Sequence, residues 1–168
     1  MPDLDPLLLE WFRRNATANA NLLQLLTPAD FSLPFNPGSR TIGDLLAHMV
    51  FSRTGWLRQI SPPHAEGIPQ VSELGWQGGP LLVHSTAEFA QALQLADAAA
   101  LAAVQDALAD RRLFPREFHS HPAHFLQLMI IHDASHRSQI LAALRLAANR
   151  TPEQTQALED AVWDPWFT

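Results

Sequence analysis

The sequence predicts an all-α protein. Five segments carry apolar residues at spacings of three and four, which is the period of an amphipathic helix. Most of them begin at a Ser, Thr or Asp N-cap, and Pro residues follow several of their ends. No segment alternates apolar and polar residues with enrichment in β-branched side chains, so we expect no sheet.

The first two helices are bounded by capping and stop signals. The first opens at Asp5-Pro6, an N-cap followed by Pro at the first helical position, and ends at Thr27-Pro28. The Pro-rich residues that follow read as a loop. The second helix opens at Thr41, with Asp44 three residues later as a capping-box partner, and Pro62-Pro63 stops it.

Three further helices are predicted in the second half. The third opens at Ser85, with Glu88 as its capping-box partner. The fourth begins near His121-Pro122 and extends to about Asn149. A short C-terminal helix begins at Thr151-Pro152.

The connection between the second and third helices, residues 61–84, holds four prolines and four glycines. A loop of this length is uncommon in a compact domain, but in a four-helix bundle one long connection lets consecutive helices run parallel. Its apolar residues favour this interpretation over an interdomain linker, so we predict one domain over residues 1–168. Those expected to pack are Leu74, Trp76, Leu81 and Leu82.

Composition excludes several classes of function. The net charge of −6 and the absence of a Lys/Arg block argue against nucleic acid and anionic membrane surfaces as partners. With no cysteine, the chain has no disulfide, thiolate metal site or Cys nucleophile. The start, Met1–Asp5, is acidic and unlike a signal peptide, and we see no apolar run of membrane-span length. We therefore expect a cytoplasmic protein.

Three of the eight histidines form a candidate metal site. His132 and His136 lie four apart on the fourth helix, so both side chains project from one face and can share a cation. His48 lies midway along the second helix, beside the apolar positions Leu45 and Met49. Three imidazoles from two helices leave a coordination position for water or substrate. The alternative is that all three are core histidines.

The remaining histidines are predicted to lie outside this site: His64, His84, His119, His121 and His124. The segment His132–His136 also resembles the H-E-x-x-H motif of zinc proteases, but Asp133 replaces the Glu that acts as general base. Asp133 then either caps or orients a neighbouring group or is a solvated surface carboxylate, and we favour the solvated carboxylate. Ser135 and Ser138 are not on a nucleophile-elbow motif and read as ordinary helix residues.

Several segments together resemble the DinB/YfiT family of helical-bundle metalloproteins. They are the Asn-rich Asn15–Leu23, the motif Thr41–His48, the pair Trp56-Leu57, the signature His132–Ile140 and the Trp-rich Ala161–Trp166. The signature segment is similar to H-x-x-x-H-R-G-Q-[IL]. The resemblance covers nearly the whole chain. It implies an up-down-down-up four-helix bundle and frequent homodimers.

The resemblance also implies one divalent metal ion held by His48, His132 and His136. Three imidazoles suit several metals, of which we expect zinc or nickel. Two positions depart from the family pattern: Ser138 replaces a common Gly, and Ser52 stands where many members carry an acidic residue. Arg137 and Gln139 match the signature, and we interpret them as salt-bridge and packing residues.

The resemblance to this family leaves three classes of function open. The first is a metal-dependent transferase that joins a low-molecular-weight thiol to a small-molecule electrophile, because a cation favours the thiolate form. The second is a metal-dependent hydrolase, in which the metal lowers the pKa of bound water. The third is a non-catalytic metal-binding protein related to stress. No catalytic group beyond the metal stands out in the sequence.

Overall fold

The computed structural model describes residues 5–75, 79–115, 121–147 and 150–167, and these residues form helices and no strand. A short 3₁₀ helix, Pro28–Ser32, follows the first α-helix. The α-helices are α1 Asp5–Gln24, α2 Ile42–Ile60, α3 Pro62–Ala65, α4 Thr86–Ala109, α5 Pro122–Leu146 and α6 Pro152–Phe167. The prediction of an all-α protein is confirmed.

Side-chain caps set the helix starts where the sequence predicts them. Thr41 accepts a hydrogen bond from the backbone N–H of Asp44, whose carboxylate accepts in return from the Thr41 N–H at 3.0 Å. Ser85 and Glu88 make the same reciprocal pair at the start of α4. These bonds satisfy N–H groups that the first turn of a helix leaves without a partner.

Two short helical turns lie in segments that read as loops. Pro28–Ser32 is helical because Thr27 and Asp30 form a capping box ahead of a Pro at the first position. Asp30 also accepts a hydrogen bond from Arg150, which ties this turn to the start of the C-terminal helix. After α2, the chain bends at Ser61 and continues as α3 instead of leaving the helix altogether. The predicted end near Asn149 lies outside the described residues.

The C-terminal helix is longer than predicted, because α6 continues through Pro165 to Phe167. A Pro inside a helix removes the hydrogen bond to the carbonyl four residues earlier. Here that carbonyl, Ala161 O, accepts instead from the Asn21 side chain at 3.2 Å. Arg14 donates to the carbonyl of Pro165 at 3.0 Å. Side chains of α1 thus donate hydrogen bonds to backbone carbonyls of α6 near its Pro. No local pattern in the C-terminal sequence indicates these bonds.

The long connection after α3 is anchored by Val71 and Val83, which are both buried. Backbone hydrogen bonds join its two sides, from Leu82 N–H to Val71 O at 2.9 Å and from Glu73 N–H to Pro80 O at 3.0 Å. Of the residues predicted to pack, Leu81 does so. The prediction is wrong for Leu74 and Leu82, which are exposed, and Trp76 lies outside the described residues.

The apolar core is divided into two clusters. One joins the end of α1, the start of α2, the start of α4, the end of α5 and part of α6. The other joins the start of α1, the end of α2, the end of α4 and the start of α5. Between the clusters, the four long helices contribute buried polar residues, which we call the polar layer: Asn15, Asn19, Arg53, Asp97, Asp133 and Arg137.

Helix α4 is long and apolar enough, by length and composition, to cross a membrane, and it is the one such helix among the described residues. The expectation that no segment is apolar enough to span a membrane is wrong. The many alanines of α4 raise the mean hydropathy of the helix although it contains Asp97. Its buried face packs against α1, α2 and α5. Buried core helices of globular proteins pass the same test.

The cap at the start of α4 can be tested by substitution. We expect Ser85→Ala to lower the free energy of unfolding by about 1 kcal/mol, because the N–H of Glu88 loses its acceptor. Ser85→Asp, which keeps an acceptor at the cap, should stay close to wild type. Urea unfolding followed by circular dichroism measures both. Equal stability of the Ala and Asp variants would contradict the assigned role of this cap.

Candidate metal centre

The structure brings the three predicted histidines together. His48 on α2 faces His132 and His136 on α5, and one nitrogen from each ring lies within 4.8 Å of the others. The ring centroids are 5.0 Å apart for His48 with each partner and 4.4 Å apart for His132 with His136. His48 is buried, whereas the other two rings are partly open to solvent. No other group of this kind occurs among the residues that the structure describes.

The spacing of the α5 pair fits a shared metal ion. The Nε2 atoms of His132 and His136 are 3.1 Å apart. Two imidazole nitrogens bound to one tetrahedral zinc ion at about 2.0–2.1 Å would be roughly 3.3 Å apart. The pair therefore needs little movement to bind a metal ion, with His48 approaching from the facing helix.

The environment of His48 and His136 favours the neutral imidazole form that binds metals. Burial lowers the pKa of His48 to about 3, with further contributions from the positive charge of Arg40 and from His132 and His136. Burial and His132 likewise lower the pKa of His136. The Nδ1 atom of His136 lies 3.4 Å from Gln139 Oε1. Because an amide oxygen only accepts hydrogen bonds, this contact favours the tautomer with the proton on Nδ1 and leaves Nε2 free to bind a metal. Gln139 is thus a partner of the site and not only a packing residue.

Ser52 places an uncharged oxygen beside the histidines. Its hydroxyl donates to the carbonyl of His48 at 2.7 Å, one helical turn earlier. Ser52 Oγ also lies 3.2 Å from His132 Nε2 and, with its own hydrogen engaged, accepts from that nitrogen only in the tautomer that carries the proton there. This position therefore supplies no carboxylate to the histidine cluster, as expected from the Ser that replaces the acidic residue of many family members.

The other described histidines have separate roles. His121 is the N-cap of α5 and accepts from the N–H of Ala123. His64 contacts Ser61 and Asp106. His84 and His124 are exposed, and His119 lies outside the described residues.

Asp133 is fully buried, so its interpretation as a solvated surface carboxylate is wrong. Arg53 donates to it through both terminal nitrogens, at 3.1 Å from Nη1 to Oδ1 and more closely from Nη2 to Oδ2. The side-chain amides of Asn15 and Asn19 donate to the same Oδ2 at 2.6 and 2.8 Å. Asp133 Oδ1 also lies 3.6 Å from Nδ1 of His132, the side of the ring opposite to Nε2.

Arg137 completes this network from α5. Its Nη1 donates to Asn15 Oδ1 at 2.7 Å and to Asn19 Oδ1 at 2.6 Å, so each Asn accepts from Arg137 and donates to Asp133. The interpretation of Arg137 as a salt-bridge residue needs correction, since these contacts with amides replace a direct ion pair. Arg53 additionally donates to Asp97 on α4 and to the carbonyl of Met49 on its own helix.

The charges of the polar layer compensate one another. Burial acts to raise the pKa of Asp133, but Arg53 outweighs it and holds this pKa well below its usual range. Burial raises the pKa of Asp97 to about 6, against the opposing effect of Arg53. The two carboxylates in turn raise the pKa of Arg53 although it is completely buried. Two arginines and two aspartates give the layer no net formal charge when all four are ionised.

Sequence reasoning missed most of this layer. The available signal was polar residues on otherwise apolar helix faces: Asn15 and Asn19 are four apart on α1, and Asp133 and Arg137 are four apart on α5. Arg53 and Asp97 lack such spacing, and only the packing of α2 against α4 and α5 shows their pairing. Ser135 and Ser138 are exposed on the opposite side of α5, as ordinary helix residues are.

A cavity of about 300 Å³ opens beside the histidines. His136 and Gln139 line it from α5, and the segment before α2 together with the start of α2 provides the rest. Those further lining residues are Phe35, Ser39, Arg40 and Leu45. Through His136, the cluster therefore adjoins a cavity that a small molecule can enter.

These features define an all-helical protein with a three-histidine site suited to one metal ion. The chain belongs to the DinB family, whose family model matches residues 1–166. No curated protein and no solved structure was found to match it.

The Arg53–Asp133 pair should be essential to stability. We expect Arg53→Met to lower the free energy of unfolding by about 3–5 kcal/mol, because it leaves buried carboxylates without their counter-charge. Arg145→Met removes the exposed ion pair with Glu159 and should cost less than about 1 kcal/mol. Urea unfolding of both variants makes the comparison. Similar losses in the two variants would show that the buried pair has no special importance.

Metal content tests the histidine site directly. We expect about one equivalent of divalent metal in tag-free wild type that has never met a metal-affinity resin, and none in His136→Ala. His84→Ala, which removes an exposed histidine, should retain the metal. Elemental analysis after incubation with Zn²⁺ or Ni²⁺ and desalting measures all three. A wild type without metal after this treatment would refute the site.

Proposed function

We propose that this protein is a metal-dependent enzyme that transfers a low-molecular-weight thiol to a small electrophile. The observation that carries the proposal is the cluster of His48, His132 and His136, of which His136 lines a cavity. A closed structural site has four protein ligands, whereas three ligands and an open position are typical of catalytic metal sites. Zinc and nickel are the metals we expect it to hold.

The bound metal would supply a positive charge that favours the thiolate over the thiol. The residues of the chain prepare the site for it. His48 and His136 present neutral imidazoles, and Gln139 holds the Nδ1 proton of His136. Arg40 adds a fixed positive charge near both rings. In the reaction the thiol sulfur bonds to the electrophilic carbon, the leaving group departs, and the thiol proton passes to solvent.

Transfer is favoured over hydrolysis by the absence of a general base in the described part of the cavity. Hydrolytic metal sites such as that of H-E-x-x-H proteases use a carboxylate to activate water. The described residues that line the cavity include no carboxylate. Asp133, which occupies the Glu position of that motif, is held by Arg53, Asn15 and Asn19 away from solvent. Thiol transfer needs only a stabilised thiolate and a positioned electrophile.

The finer architecture is also a proposal. We propose that α1, α2, α4 and α5 form a four-helix bundle with up-down-down-up order. The two apolar clusters support it, because the end of α1 meets the starts of α2 and α4 and the end of α5, with the opposite ends in the second cluster. The long connection between α2 and α4 suits two parallel neighbours. A cytoplasmic location and a homodimer stay predictions.

An assay that follows thiol and electrophile together tests the activity. With zinc-loaded protein, we expect cysteine or glutathione and 1-chloro-2,4-dinitrobenzene to be consumed in equal amounts, with chloride released. His136→Ala should lose this activity because the metal is lost, and His84→Ala should keep it. Turnover of an ester or amide panel without thiol would instead identify a hydrolase. A metal-loaded protein inactive in both assays would support a non-catalytic metal-binding role.

A further inference from the structure

The cavity beside His136 contains one charged side chain other than the histidine among its described lining, Arg40. Arg40 lies directly before the N-cap of α2, and it is exposed. Its positive charge acts on both His48 and His136. The cavity is therefore lined by an exposed cationic group and by His136, one of the three histidines of the candidate metal site.

Most arginines of this protein have anionic or amide partners. All eleven basic residues are arginines. Those with a carboxylate or amide partner in the described structure are Arg13, Arg14, Arg53, Arg137, Arg145 and Arg150. Within the described ranges, no carboxylate forms an ion pair with Arg40, although it faces a cavity. A guanidinium in this position is available to a ligand.

The remaining lining indicates the kind of ligand. Phe35 and Leu45 provide apolar surface, and Ser39 and Gln139 provide hydrogen-bonding groups. One guanidinium matches the charge of a monoanion, and its planar fork pairs with both oxygens of a carboxylate. A cavity of about 300 Å³ is at the small end of ligand sites.

We propose that Arg40 binds the carboxylate of the substrate, so that the electrophile is a small carboxylic acid with an apolar or aromatic body. Phe35 and Leu45 pack against that body, which directs the reacting end towards His136. The identification of this ligand as the substrate rests on the proposed function. The binding of a carboxylate at Arg40 is a separate claim that can be measured without activity.

The probe is 4-fluorobenzoate, whose binding is followed by ¹⁹F NMR titration of zinc-loaded and metal-free protein. The variants are Arg40→Ala, Arg40→Lys and, as a matched control, Arg58→Ala. Arg58 is also exposed on the surface, but it lines a different cavity at the other end of α2. Arg40 lies outside the helices and is exposed, so its variants should keep the wild-type melting temperature.

We expect Arg40→Ala to weaken binding of 4-fluorobenzoate roughly tenfold or more, as loss of a charged hydrogen-bonding partner does. Arg40→Lys should recover part of the affinity, since it keeps the charge but not the planar fork. Arg58→Ala should bind as wild type does. Binding should persist in the metal-free protein, because the carboxylate contacts Arg40 and not the metal.

Three results would overturn the inference. The first is wild-type affinity in Arg40→Ala. The second is binding that requires zinc but not Arg40, which would identify the probe as a metal ligand. The third is inorganic phosphate that binds through Arg40 more tightly than 4-fluorobenzoate, which would assign the site to phosphate. If the carboxylate binds through Arg40 but thiol transfer is absent, the proposed function fails while the anion site stands.

Discussion

The buried pair between Arg53 and Asp133 is the constraint on which the rest of the structure depends. A completely buried guanidinium must meet counter-charge and hydrogen-bond acceptors, and Asp133, Asp97 and the Met49 carbonyl supply them from three helices. Asp133 directly follows His132 on α5, and Arg53 lies five residues after His48 on α2. Pairing the two charges therefore sets the register of α2 against α5 and brings the histidines face to face.

The polar layer adds α1 to the same arrangement. Asn15 and Asn19 each donate to Asp133 and accept from Arg137, so α1 can hold only the register in which both amides bridge these groups. Buried ion pairs are weak evidence for net stability, since well-packed apolar residues can replace them at little cost. We infer that this layer contributes mainly by fixing the register of the helices. The two apolar clusters could pack in several registers, but the hydrogen bonds of the layer form in only one of them.

The histidines of the candidate metal site and the polar layer use adjacent faces of α5, because His132 and His136 directly precede Asp133 and Arg137. His132 places Nε2 beside Ser52 of α2 and His136, while its Nδ1 lies 3.6 Å from Asp133 Oδ1. Carboxylates behind metal-binding histidines orient the ring and raise its basicity. Here the 3.6 Å separation from His132 Nδ1 is longer than a hydrogen bond, and Asp133 is instead held by Arg53, Asn15 and Asn19.

The five long helices, the caps at Thr41 and Ser85 and the three histidines could be predicted from the sequence, because they depend on short-range spacing and on residue chemistry. Thr41 with Asp44 and the i,i+4 pair His132 and His136 can be recognised without knowing the fold. Tertiary structure alone decided the roles of Asp133 and Asn21, since each satisfies a group more than one hundred residues away in sequence. A polar residue on a helix reads as solvated until the packed partner is known, because the cost of burying it is offset only by hydrogen bonds from other helices.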